Sequence, residues 1–216
     1  MIQTGIEKLD KILGGGIRDG IIVDIFGASG TGKTHLALQI MINMLSAGGS
    51  VFYQDTTGSF RPERLMELVK SRNLDPLLLD RITVGRATNI REQIDGVSKI
   101  VSGDFTLAIV DSITDLFSFE YSKGEQMLEK NTQFAKYMRA LAEAAASKKI
   151  PVIVVNMIRK IDQTERENMD TIIGLFTHVK IGLTRTQTGY EGRVLINAKT
   201  DLFSYKITKD GLTEAI

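Results

Sequence analysis

The chain has no cysteine among its 216 residues, which excludes disulfides and thiolate metal sites. Two histidines, His35 and His178, are too few to build a zinc site by themselves. An excess of one charge is also missing, since 27 basic side chains face 26 acidic ones. Without a bulk basic field, any surface for nucleic acid must be local. No apolar run approaches the ~20 residues needed to cross a bilayer. The first residues, Met1 to Gly5, carry no signal-peptide pattern. These absences predict a soluble cytoplasmic protein with no membrane contact. The length suits one domain over residues 1–216 with a sizeable core.

What the chain does have is a phosphate-cradling loop. Gly27, Ala28, Ser29, Gly30, Thr31, Gly32, Lys33 and Thr34 fit G-x-x-x-x-G-K-[ST]. Ile21–Phe26 before it reads as a buried strand, and His35–Leu45 after it as a helix. A loop in that setting points backbone N–H groups at a phosphate at the helix N-terminus. Lys33 would meet the β- and γ-phosphates, and the Thr34 hydroxyl would ligate Mg²⁺. The expected cofactors are ATP and Mg²⁺, with His35 beside the loop.

Apolar runs recur with helical segments between them. Candidate strands are Ile21–Phe26, Ser50–Gln54, Arg81–Val84, Leu107–Val110 and Val152–Val155. A continuous run such as Leu107–Val110 suggests a parallel strand covered on both faces. Ile90, Ile94, Val97 and Val101 share one helical face behind Asn89-x-x-Glu92, which resembles a capping box. Pro62 suits the first turn of a helix carrying Leu65, Leu68 and Val69. Beyond Thr171, Val179–Arg185 and Gly192–Asn197 flank a polar tip, Thr186–Gly189, and read as a β-hairpin; Leu202–Ile207 would add a third antiparallel strand. The expected fold class is α/β: a mostly parallel sheet with helices on both faces and an antiparallel C-terminal extension.

Leu107–Val110 ends in Asp111. At the end of a strand in a P-loop protein, that carboxylate reaches Mg²⁺, usually through water. Its bland alternative is a strand-ending Asp that caps the next turn.

Several segments resemble the RecA-type recombinase family, in the archaeal and eukaryotic RadA branch. They are Thr4 to Asp10 with Gly14 to Ile17, the P-loop, Tyr53 to Leu65, Val110 to Phe117, Gln133 to Leu141 and Val152 to Asn156, in family order. Phe60-Arg-Pro-Glu-Arg64 is the most specific stretch. The resemblance implies a RecA-like core that binds ATP at the edge of the sheet. It places Arg64 against the adenine and two DNA-facing loops at about Ser118–Gln126 and Met157–Thr171. The family's N-terminal helical domain and polymerisation linker have no counterpart, as in the RadB-like paralogs. The implied role is in DNA repair and recombination at a prokaryotic nucleoid, with a recombinase or related paralog as partner. Lys199 and Asp201 are candidates for capping a neighbour's nucleotide, while oligomeric state stays open.

Two positions depart from the family pattern. Where the recombinases carry Asp-Thr-Glu-Gly, this chain has Asp55, Thr56, Thr57 and Gly58. Thr57 stands at the position of the glutamate that orients the attacking water, and a threonine is no carboxylate base. Loss of a general base typically costs ~10²–10⁴-fold in rate. Asn156-Met157 replaces Asn-Gln, whose glutamine senses the γ-phosphate, and a thioether is only a weak acceptor. The expectation is an ATP-binding chain with weak or absent hydrolysis, Lys33 and the degenerate Thr57 being its catalytic positions.

Single-stranded DNA contact is less clear from the residues. The second loop has Arg159, Lys160 and Arg166 against Asp162, Glu165, Glu167 and Asp170, a net charge of −1, and lacks an aromatic for base stacking. The first loop adds Lys123, Phe119 and Tyr121, offset by Glu120 and Glu125. Lys123, Arg159, Lys160 and Arg166 are the DNA-contact candidates. Two alternatives remain: an active DNA-dependent ATPase of the same fold, and a KaiC-like signalling module, which shares the Thr4–Asp10 and Gly14–Ile17 segments.

Overall fold

Period-2 alternation in the strands builds two cores, one on each face of a sheet. The computed structural model describes residues 1–122, 124–161 and 164–215. Along β1 (Ile22–Gly27), Val23 and Ile25 enter one core and Ile22 the other. In β4 (Leu107–Asp111), Leu107 and Ile109 separate from Ala108 and Val110 in the same way. A strand buried on both faces needs apolar residues at every position, so the sequence reads as an unbroken run.

The first core takes its helical side from α1 (Glu7–Ile12), α2 (Lys33–Ser46) and α3 (Pro62–Ser71). The second takes it from α4 (Ile90–Ser102), α5 (Asp115–Glu120) and α6 (Met127–Lys148). Pro62 opens α3 as its first helical residue, where its missing N–H is no loss. Asn89 Oδ1 accepts from the Glu92 N–H at 2.9 Å. Glu92 reaches back to the Thr88 N–H at 2.7 Å, one residue earlier than a capping box requires.

β2 (Val51–Asp55), β3 (Ile82–Arg86), β5 (Val152–Ile161) and β7 (Val179–Arg185) complete the parallel part, ordered β7-β1-β5-β4-β2-β3. β3 forms at the expected place but is the exposed edge, with Val84 open to solvent. β8 (Tyr190–Ile196), β9 (Lys199–Thr208) and β10 (Gly211–Glu214) continue the sheet antiparallel beyond β7. Among the described residues, no helix is long and apolar enough to cross a membrane.

Among the described residues, both expected DNA-facing loops contain secondary structure that the sequence does not suggest. Residues 118–120 of the first belong to α5. In the second, β5 runs on to Ile161 and pairs antiparallel with β6 (Thr164–Glu167), followed by α7 (Asp170–Ile173). The polar, charged composition of Met157–Thr171 conceals a strand pair that stands clear of the core.

Gln39 joins the two ends of the described chain. Its amide, buried on α2, donates to the Thr4 and Leu212 carbonyls at 2.8 and 3.0 Å and accepts from the Leu212 N–H at 2.7 Å. Gln39→Ala leaves these backbone groups unpaired, and each buried unpaired group costs about 1–3 kcal/mol. We expect the variant's melting temperature to drop by about 5 °C or more, given ~2–4 °C per kcal/mol at this size. An unchanged melting curve would mean that water replaces the amide.

Candidate functional site

Strand register assembles the site. Asp55 pairs with Asp111 across β2 and β4, Asp111 with Val155 across β4 and β5, and Gly27 with Met157 across β1 and β5. Beyond these C-terminal strand ends lies a cavity of about 680 Å³, where open α/β sheets bind ligands. Ser29, Gly30, Gly32, Lys33 and Thr34 form its floor, and Thr57, Asp111 and Met157 stand on its walls.

The loop is shaped before any ligand arrives. Gly27 has φ +155°, and a Cβ there would lie 2.2 Å from the Leu183 carbonyl oxygen. The Thr31 hydroxyl donates to the Ala28 carbonyl at 2.9 Å, and Tyr205 Oη of β9 donates to the Thr31 carbonyl at 2.6 Å. Gly27, Ala28 and Thr31 therefore shape the loop. Lys33 Nζ rests on the Ala28 carbonyl at 2.8 Å. Burial lowers the Lys33 pKa, opposed by the negative charges of Asp111 and then Asp115.

Asp111 Oδ2 accepts from Thr34 Oγ1 at 2.7 Å and from Tyr53 Oη at 2.9 Å. Burial pushes its carboxyl above the usual range, while these two hydroxyls and the Lys33 charge pull it back. Asp55 is committed elsewhere. Its Oδ1 accepts from the Thr57 and Gly58 N–H groups at 3.0 and 2.8 Å, its Oδ2 from the Phe60 N–H at 3.2 Å, and Arg86 stands 3.4 Å away. Thr57 faces the cavity with a hydroxyl bonded to Ser59 Oγ at 2.6 Å.

At the far end of the cavity, Arg64 Nη2 donates to His35 Nδ1 at 3.0 Å. A guanidinium only donates, so Nδ1 is the acceptor and the neutral ring carries its proton on Nε2. Ile207 of β9 and Tyr190 of β8 add apolar surface. His178 lies outside the site, exposed just before β7.

The β5–β6 hairpin sorts the charges that the sequence merely counts. Arg159 pairs directly opposite Arg166, so both side chains share one face. Lys130 of α6 is near: burial, then the positive charge of Arg159, lowers its pKa. Glu167 turns inward instead, accepting from Asn156 Nδ2 at 3.0 Å and pairing with Lys180 at 2.5 Å. Lys180 also bonds Asp170 and lies 3.9 Å from Asp24, a wholly buried β1 carboxyl whose oxygens have no hydrogen-bond partner among the described residues. Burial, and then the negative charge of Glu167, raises the Asp24 carboxyl well above its ordinary value. Lys123 and the Lys160 side chain lie outside the described residues.

The residues present fit a magnesium nucleotide. Thr34 and Asp111 are hard oxygen donors brought to one point, and Mg²⁺ completes its shell with phosphates and water. Gly30 has open space where a Cβ would stand, leaving its backbone free for a phosphate. Among the described residues no cluster of three His, Cys, Asp or Glu could hold a metal by itself.

The Rad51 family profile matches residues 1–173. The chain belongs to the Rad51 family. It is 39% identical over 170 residues to the DNA repair and recombination protein RadB of Thermococcus onnurineus, covering 77% of this chain and 73% of that one. RadB of Pyrococcus abyssi is 37% identical over 161 residues, covering 73% and 66%. DNA repair and recombination protein RadA of Cenarchaeum symbiosum is 36% identical over 169 residues, with 73% of this chain set against 42% of RadA.

This Rad51-family site holds side chains that the sequence reading passed over. Tyr53 looks like one more apolar strand residue, and Tyr205 sits 174 positions from its partner Thr31. Tyr190 and Ile207 carry no motif, and Ser59 and Asp115, which also line the cavity, lie in family-like segments that do not single them out.

Burial, then the charges of Arg64 and Arg72, lowers the His35 pKa from 6.5 to about 4. Between these values the unfolded chain binds a proton that the folded chain does not, so stability falls as pH drops through that window. In His35→Gln, the loss of melting temperature between about pH 7 and about pH 4.5 should be smaller than in the parent chain. Equal losses would mean that the folded imidazole protonates as readily as the unfolded one.

Proposed function

We propose that the chain is an ATP-binding Rad51-family paralog that serves homologous recombination and DNA repair, with slow ATP turnover. One observation carries this reading: a complete phosphate grip shares its cavity with Thr57, at the position where the family carries its carboxylate base. Lys33 would neutralise the β- and γ-phosphates, Thr34 and Asp111 would hold Mg²⁺, and Arg64 with Ile207 would flank the base. Bound Mg²⁺ supplies charge neutralisation on the transferring phosphoryl group. Thr57 offers only a hydroxyl, and Asp55 is spent on loop amides and Arg86. Met157 brings a weak acceptor to the position of the γ-phosphate sensor.

The names of the RadB and RadA relatives, DNA repair and recombination proteins, support the repair and recombination role; a place beside a main recombinase, in the cytoplasm at the nucleoid, is part of the proposal. Kinship with Rad51 also favours this reading over a KaiC-like signalling module. Direct DNA contact is a second reading, favoured by the shared face of Arg159 and Arg166 near Lys130. The net charge of the segment counts less on that face, because the register sets Arg159 opposite Arg166, while Lys160 falls opposite Glu165.

Lys33→Ala should abolish binding of a fluorescent ATP analogue, whereas the parent chain binds it and turns ATP over slowly. Thr57→Glu should raise turnover about tenfold or more, within the range that a general base contributes. Brisk turnover by the parent chain would sink the slow-hydrolysis reading. For DNA, Arg159→Ala and Arg166→Ala should each weaken single-strand binding and lower the salt slope by about 0.7. An unaltered slope would remove the hairpin from the DNA surface.

A further inference from the structure

Thr57 lacks the expected carboxylate, yet a different one stands on the cavity wall. Three aspartates lie on or beside the cavity. Asp55 is buried and saturated by loop amides and Arg86. Asp111 is shared between Thr34 and Tyr53, in the position that suits the metal. Asp115 lines the cavity together with Thr57, Ser112 and Met157, and among the described residues its carboxylate has no hydrogen-bond or ion-pair partner. Its negative charge reaches Lys33, where it helps oppose the effect of burial on the ammonium.

The backbone leading to Asp115 is held from both sides. The Thr56 hydroxyl donates to the Ser112 carbonyl at 2.7 Å, and the Ile113 N–H donates to the Val155 carbonyl at 2.9 Å. Gln93 Nε2 donates to the Ile113 carbonyl at 2.9 Å, and Thr114 Oγ1 to Asn156 Oδ1 at 2.8 Å. The end of β2, the middle of β5 and the start of α4 thus hold this turn, and Asp115 opens α5 immediately after it. A carboxylate that opens α5 just after this held turn, has no partner among the described residues and lines the same cavity as Lys33 and Thr34 is the candidate for a group that handles water.

We propose that Asp115 orients the attacking water and accepts its proton, from the wall formed by the start of α5 rather than from the position of Thr57. This rests on reading the cavity as an ATP site. The water oxygen bonds to the terminal phosphorus as the bond from that phosphorus to the bridging oxygen breaks. The bridging electron pair leaves with ADP. The water proton passes to Asp115 and then to solvent. The slow turnover of the chain is therefore the work of a displaced carboxylate.

The test uses the full chain with Asp115→Asn, Asp115→Glu and the double variant Asp115→Asn/Thr57→Glu. Turnover is measured alongside equilibrium binding of fluorescent ADP, with and without aluminium fluoride, in Mg²⁺. Asp115→Asn should lower turnover by about 10²-fold or more. It should keep ADP affinity within about threefold, yet lose the gain that a transition-state mimic confers. Asp115→Glu should retain part of both readouts, and the double variant should recover turnover by restoring a carboxylate at position 57. Asp115→Asn with parental turnover and parental aluminium fluoride response overturns the proposal. So does a parallel loss of ADP affinity and turnover, which marks a structural role. A parent chain that binds ADP but shows neither turnover nor an aluminium fluoride gain overturns the role of Asp115 and leaves the nucleotide grip standing. A parent chain that binds no nucleotide overturns both.

Discussion

The site depends on one buried carboxylate. Asp111 ends a strand held between two parallel neighbours, so its backbone cannot move without breaking both ladders. Its carboxylate is nearly sealed from water and would be expensive to keep charged there without partners. Thr34 and Tyr53 supply hydroxyls from the first turn of α2 and from the adjacent strand. That bond fixes how closely α2 approaches β4, and with it the position of the whole phosphate loop. The antiparallel extension reinforces this arrangement from the other side, where the Tyr205 hydroxyl rests on the Thr31 carbonyl.

Binding and turnover separate physically in this arrangement. Holding a triphosphate requires backbone N–H groups, a lysine and a hydroxyl–carboxylate pair, all local to the loop and the end of β4. Hydrolysis requires a further group, positioned to within a fraction of an ångström of a water molecule. A threonine at position 57 leaves the first untouched and supplies no carboxylate for the second. The network through Ser112, Thr114 and Asn156 belongs to neither function directly, but it decides which side chains can face the cavity.

Much of this was legible in the sequence because the information is local. The P-loop, the strand ending in Asp111, Pro62 at a helix start and the hairpin around Thr186–Gly189 each follow from neighbouring residues. Long-range choices were not legible. Nothing near Tyr205 or Gln39 announces a partner more than 170 positions away. The β8–β9 turn, Asn197–Ala198, places both residues at positive φ without a glycine to signal it. The hairpin at Met157–Thr171 was hidden because its polar composition reads as loop. A net charge also discards periodicity: Arg159 and Arg166 share a face while Glu167 turns inward. Asp115 was invisible as a candidate because its significance comes from a turn pinned by β2, β5 and α4.

The root of that hairpin has a mechanical consequence. Glu167 is anchored to Asn156 and Lys180 at the sheet, and Lys180 in turn lies close to the wholly buried Asp24. Withdrawing Glu167 would leave the half-buried Lys180 ammonium with Asp170 as its remaining close carboxylate partner, and removing one member of such a buried cluster is costly. The base of the hairpin is therefore tethered to the sheet. Arg159 and Arg166 share a face beyond that tether, and Asn156, which the tether holds, directly precedes Met157 on the cavity lining.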